Sequence, residues 1–412
     1  MKTFLLWALL FGLCLALPGT ATTARAGETP TAPFRATLRQ GIDATFNLEN
    51  REALAFFQKA IEMDRENPLG YAFLALGRLF SYETGFDLPQ RTKDQEAMLR
   101  DVEEALLRGH KRIEKNGRDA NAYFAMALAK IFKIRWALTQ KKYVLVAQEA
   151  ASIWEMLEKG RAADPQNYDF YFPIGLLHYH LDHLPTAARF ISSLLVTAAD
   201  HQKGLQELEI AAQKGDLLKE LAQAELSSVY TYFEEQPAKA VPITQALRER
   251  YPRNYNFAFA LANTLSELHR FPEALVIAQE LEKGIKAGQP PFAPQLQPRY
   301  DHLLGRILFN QGDYAAAWDR FQKALADTSI FNARNRVSAL VRMGMILDLR
   351  GERKKAEELY AQALAVEGGE GVGQTEAKRY LKTPYTLRPK TPLPAPTNGR
   401  STVVQGKGMQ PP

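Results

Sequence analysis

The chain of 412 residues holds a single cysteine, Cys14, and that one lies in an apolar stretch near the N-terminus. If that stretch is removed, no thiol remains for a disulfide, for nucleophilic catalysis or for cysteine ligation of a metal. Runs that alternate apolar and polar residues are also missing, so no sheet is expected. Phosphate-cradling glycine loops, zinc-protease helices and serine-nucleophile elbows are absent in convincing form. The glycine-rich Gly368-Gly369-Glu370-Gly371-Val372-Gly373 follows a helical pattern rather than a strand and lacks the lysine of a phosphate loop. It reads as a linker. The paired acids Glu103-Glu104, Glu234-Glu235 and Glu357-Glu358 are adjacent, so on a helix they point in different directions and form solvated faces rather than acid-base pairs. These absences point to a protein that acts by binding, without catalysis and without a cofactor.

What is present is ample apolar material: 46% hydrophobic residues, with 24% charged residues of both signs interspersed, the balance of a soluble helical protein. The net charge of +6 does not form one patch. Lys2 and Arg25 would leave with an N-terminal signal, and Arg388, Lys390, Arg400 and Lys407 lie in an acid-free tail, which leaves the body near neutrality. No nucleic-acid partner is implied.

The N-terminus reads as a cleaved secretory signal over residues 1–26. Lys2 gives a positive start, Phe4 to Leu17 is apolar throughout, and Ala24-Arg25-Ala26 offers a small-x-small cleavage site before Gly27. The rival, an uncleaved anchor, needs about 20 apolar residues and this stretch is shorter. Leu13, too large for the position before a lipidated cysteine, argues against lipidation of Cys14. The expected location is periplasmic or secreted.

Comparing the chain with itself shows a repeat. Aligned on Gly305 and Gly344, Arg299 to Leu325 and Ser338 to Leu364 each place a large apolar residue before the glycine (Leu304, Met343) and another three after it (Leu308, Leu347). A turn glycine (Gly312, Gly351), an alanine (Ala317, Ala356), an aromatic (Phe321, Tyr360) and alanine-leucine follow in both. Small residues let helices approach closely, turn glycines permit left-handed backbone, and the aromatics fill the space between units. Gly41, Ala53, Phe57 and Ala60 occupy the same places earlier in the chain, as do Ser228 with Ala240 and Ala262 with Ala274. Pro242 is expected to kink its helix. Gly77, Ala127 and Gly175 open similar helices at wider spacing, with extra helical length around Met98 to Ile113 and from Phe190 to Ala212.

This pattern resembles the tetratricopeptide repeat, a helix-turn-helix unit of about 34 residues. The resemblance implies an all-α, right-handed α-solenoid of about seven such units over residues 34–383, the central ones lengthened or carrying an added helix. Each unit would touch only its neighbours, giving a curved, quasi-one-dimensional superhelix. Thr375 to Lys382 is expected to cap it, and residues 384–412 form a disordered, Pro-rich basic tail. Contact of that tail with an anionic membrane stays open, although its basic residues are too spread for strong anchoring.

In the repeat family the first helix of each unit lines the concave groove. Carried over by position, that geometry exposes Asn256, Phe259 and Asn263 from one unit, Arg299, His302, Arg306 and Asn310 from the next, and Arg342 from the last. Arginines pair with carboxylates and asparagines bond extended backbone, so the expected partner is a protein or peptide, acidic or offering its carboxyl terminus. Related exported repeat proteins serve envelope assembly, secretion or membrane-complex organisation, and the same role is expected here.

One other cluster carries possible chemistry. His178, His180 and His183 are three of the seven histidines, and on a helix His180 and His183 share a face. With His201 they could hold zinc in a periplasmic metal- or small-ligand-binding protein. Leu184-Pro185 ends the helix there and would scatter the ligands, so helix packing is the plainer reading and no metal is assigned.

Overall fold

The computed structural model describes residues 31–140, 142–180, 200–369 and 371–387. The apolar N-terminal segment with Cys14, His183, the Phe190 to Leu195 stretch and the tail from Arg388 lie outside the described residues. Every regular element among the described residues is helical. Eight helical pairs run in order. They are α1 (Ala32–Phe46) with α2 (Asn50–Met63), α3 (Pro68–Thr84) with α4 (Leu88–Lys115), and α5 (Ala120–Thr139) with α6 (Tyr143–Ala163). Next come α7 (Tyr171–His180) with α8 (His201–Lys214), α9 (Lys219–Tyr232) with α10 (Pro237–Arg250), and α11 (Tyr255–Glu267) with α12 (Phe271–Ala287). The last are α13 (Gln297–Gln311) with α14 (Tyr314–Leu325) and α15 (Ala333–Leu349) with α16 (Arg353–Ala365), closed by α17 (Val372–Lys382). Eight such pairs among the described residues agree with the expected solenoid of about seven units, and α7 packs on α8 although they are separated in sequence.

Local chemistry explains the boundaries. The side-chain oxygens of Asn67, Asp87, Asp119, Asp200, Asn254 and Asp313 each accept a backbone N–H two or three residues on, capping α3, α4, α5, α8, α11 and α14. Gly312 and Gly351 adopt φ of 90° and 77° after α13 and α15, a backbone that side chains disfavour. The central helices are long, 28 residues in α4 and 21 in α6 against 12 in α14. Pro242 sits inside α10, which continues through it to Arg250.

The pairs stack as consecutive helical hairpins. A Cβ on Gly305 would lie 2.5 Å from the Phe321 ring, and one on Gly344 2.5 Å from Tyr360. The aromatic therefore sits on the glycine of its own unit. Phe57 shows the second half of the arrangement: it lies on Gly41 of its own unit and 6.0 Å, ring to ring, from Phe73 of the next. Phe57, Phe321 and Tyr360 are fully buried, each contributing about 1.5–3 kcal/mol. The first helices also touch one another, α1 on α3 on α5 and α11 on α13 on α15, more closely than the second helices do. They therefore occupy the inner radius of the curve, and their free faces line its concave side.

The quasi-one-dimensional expectation fails. Units far apart in sequence meet, because the superhelix winds tightly enough for its first turn to rest on a later one. Phe46 at the end of α1 stacks on Tyr251 at 5.4 Å and on Phe257 at 6.3 Å, and Asn254 Nδ2 donates to the Phe46 carbonyl at 2.7 Å. Leu48 enters the apolar cluster of α11 and α13. One unit on, Phe86 meets Phe331 at 5.5 Å and Arg91 lies over the same ring at 5.0 Å. Asp169 ties the fourth unit to the fifth, accepting the N–H groups of Asp216, Leu217 and Leu218 at 2.8–3.0 Å.

Candidate functional site

The inner faces of α11, α13 and α15 bring the groove residues together. Arg299 Nη1 donates to Asn256 Oδ1 at 2.6 Å, and its guanidinium lies 4.2 Å above the Phe259 ring. Arg306 Nη2 donates to Glu267 Oε1 at 2.6 Å. Asn310 Nδ2 reaches Ser266 Oγ at 3.0 Å and Glu267 Oε1 at 3.3 Å. The Arg342 guanidinium lies 5.4 Å from the Phe309 ring, and its Nη1 is 3.5 Å from the Met345 sulfur. Tyr385 stacks on Phe309 at 6.1 Å, bordering the same place.

Two of the expected contact residues are not exposed. Phe259 is 1% and His302 7% accessible, because the first helices approach closely enough to cover them. Phe259 serves as the platform on which Arg299 stacks. His302 is the floor: burial first, and then the charges of Arg306, Arg342 and Arg299, hold its imidazole well below the usual histidine range, so it is neutral. Three buried polar atoms here have no hydrogen-bond partner, His302 Nε2, Arg306 Nε and Asn263 Oδ1.

The charges do not balance. Burial raises the Glu267 carboxyl, but Arg306 and then Arg342 outweigh it and hold it at about 2. Burial lowers Arg306, and Glu267 more than restores it. Arg299 has no acid: burial draws its guanidinium below the ordinary arginine value, with Tyr255 and Tyr232 opposing weakly. Among the described residues neither Arg299 nor Arg342 forms an ion pair. An uncompensated buried cation is costly, and proteins pair such groups or bind an anion there. Glu267, Tyr232 and Tyr385 were not foreseen. Glu267 stands four residues beyond Asn263 on the same helical face, so extending that spacing by one turn would have found it.

The histidine cluster separates. His178 Nδ1 meets Glu207 Oε2 at 2.5 Å in the core beside Trp154, His180 Nε2 meets Glu225 at 2.7 Å, and His201 Nε2 meets Glu234 at 2.7 Å. Each ring is turned to a different carboxylate, on α8, on α9 and in the turn after α9. No group of three potential ligands is gathered for a metal among the described residues, and His183 lies outside them. The metal alternative is not favoured.

Hairpin stacking, an inner layer of first helices and a cationic concave face define the class: an all-helical solenoid of stacked helical hairpins. No protein-family model matches the chain. No curated protein matches it either. Among solved structures it is similar to a tetratricopeptide repeat protein from Parabacteroides merdae, at 13% identity over 72% of this chain and 93% of that one, with a TM-score of 0.29. It is also similar to yeast Tom70, at 10% identity over 85% of this chain and 95% of that one, with a TM-score of 0.28.

Proposed function

We propose that this protein is an exported scaffold of the bacterial envelope that binds a protein or peptide partner through its concave groove, in assembly or secretion. The observation that carries the reading is the pair of partly buried arginines, Arg299 and Arg342, which form no salt bridge among the described residues, beside a buried histidine whose Nε2 has no hydrogen-bond partner. A carboxylate from the partner, from an acidic side chain or a chain terminus, supplies what both lack. Asn256, Asn263 and Asn310 stand where an extended backbone would pass. The signal-like segment 1–26 supports export.

The test is affinity capture from envelope extract with the protein and with a variant carrying Arg299→Gln and Arg342→Gln. Glutamine keeps the bulk and removes the charge, so helicity should be retained. Partners lost from the variant alone support the groove; an unchanged set refutes it. Export is checked separately by N-terminal sequencing of the protein from the periplasmic fraction, where a chain beginning at Met1 would overturn the cleaved signal.

A further inference from the structure

We infer that Glu267 is an internal stand-in for the ligand, holding Arg306 until an incoming oxyanion displaces it, and thereby sets how strong a ligand must be to enter the groove. The inference rests on the reading of the groove as an anion-binding surface.

Three features of Glu267 lead to it. It is the last residue of α11, where the negative end of the helix dipole disfavours an acid, so α11 itself gives no reason for a carboxylate there. Its side chain is 33% accessible while that of Arg306 is 11%, so the carboxylate covers the guanidinium from the open side of the groove. Both hydrogen bonds it accepts, from Arg306 and Asn310, go to Oε1. A carboxylate with an outward path and only one engaged oxygen can swing into water when another anion takes its place.

The remaining cations make displacement selective. Arg299, one turn before His302 on α13, and Arg342, on α15, form no hydrogen bond with Glu267 among the described residues. A ligand oxyanion that reaches either of them gains a contact that Glu267 does not make. A weak monoanion that reaches only Arg306 merely exchanges one carboxylate for another and gains nothing. Glu267 is thus a specificity-determining residue, not a structural ion pair.

The experiment follows the His302 imidazole resonance by NMR while inorganic phosphate, a compact oxyanion that arginine pairs with as it does a carboxylate, is added at constant ionic strength. Glu267→Gln, which keeps the shape and the bond to Asn310, should bring half-saturation to at least tenfold lower phosphate than in the unaltered protein. Adding Arg299→Gln and Arg342→Gln to that variant should raise it again by at least tenfold. Unchanged or weakened binding in Glu267→Gln overturns the inference, because Glu267 would then be orienting Arg306 for the ligand. A His302 signal unmoved by phosphate in both proteins also overturns it. That outcome leaves the groove reading standing or falling on partner capture alone.

Discussion

Arg39 Nη2 donates to Oε1 of Glu220 at 2.8 Å, and Nη1 to Oε2 at 2.9 Å, a bidentate pair between residues 181 positions apart. Glu220 is 1% accessible and also receives Arg250 at 2.9 Å, while Arg250 and Tyr251 both bond Asp43. A buried acid clamped by cations from two turns of the superhelix locks the first unit onto the fifth.

Removing one of those cations leaves the buried carboxylate half-satisfied. Arg39→Ala should cost about 2–4 kcal/mol, less than a fully orphaned buried charge because Arg250 remains. Thermal unfolding measures the loss. The double variant Arg39→Ala, Glu220→Ala should recover part of it, and small-angle scattering should show a larger radius of gyration for Arg39→Ala than for the unaltered chain if the contact holds the turns together. Equal radii would show that the aromatic contacts of Phe46 suffice.

A methyl group at Gly344 would strike Tyr360, which is wedged between helices and cannot rotate away. Gly344→Ala should therefore destabilise by about 1–3 kcal/mol despite the better helix propensity of alanine. Tyr360→Ala should cost about 3–5 kcal/mol by the cavity it leaves. If Gly344→Ala instead raises the melting temperature, the close approach of α15 and α16 is wrong.

His302 gives stability a pH dependence. Its folded pKa lies below the unfolded value of about 6.5, so the unfolded chain takes up the proton first. The contribution is complete above that value and declines as pH falls below it, by up to about 1.4 kcal/mol per pH unit until the folded group titrates. His302→Gln should flatten denaturant-measured stability between roughly pH 6.5 and 5. An identical pH profile in the variant would sink this placement of His302.

Glu267 acts at lower pH. Its folded pKa of about 2 lies below the ordinary 4.5, so its contribution is present above 4.5 and is lost as pH falls toward 2. Stability of the unaltered protein should converge on that of Glu267→Gln over that window. Parallel curves would mean that Glu267 does not feel Arg306 and Arg342.

The repeat was legible because its determinants are local: a small residue, a turn glycine and an aromatic at fixed spacing, each answering to helix geometry within about 34 residues. Gly305, Gly312 and Phe321 could be assigned without coordinates for that reason. The central units were legible only as helices at wider spacing, because their added length breaks the 34-residue period. The groove was half legible. Helical periodicity placed Arg299, Arg306 and Arg342 on one face, but not that Phe259 and His302 beneath them are covered, nor that Glu267 occupies one of the three cations.

By itself the sequence determined the helices, their caps and turns and the pairing within each unit, because those depend on residues within a few turns of one another. Only the tertiary structure decided how tightly the units wind. Small rotations between successive pairs accumulate over the chain, and no single spacing records their sum. That sum brings Arg39 to Glu220 and Phe86 to Phe331, and the same close approach of the inner helices leaves Arg299 and Arg342 partly buried without a salt bridge among the described residues.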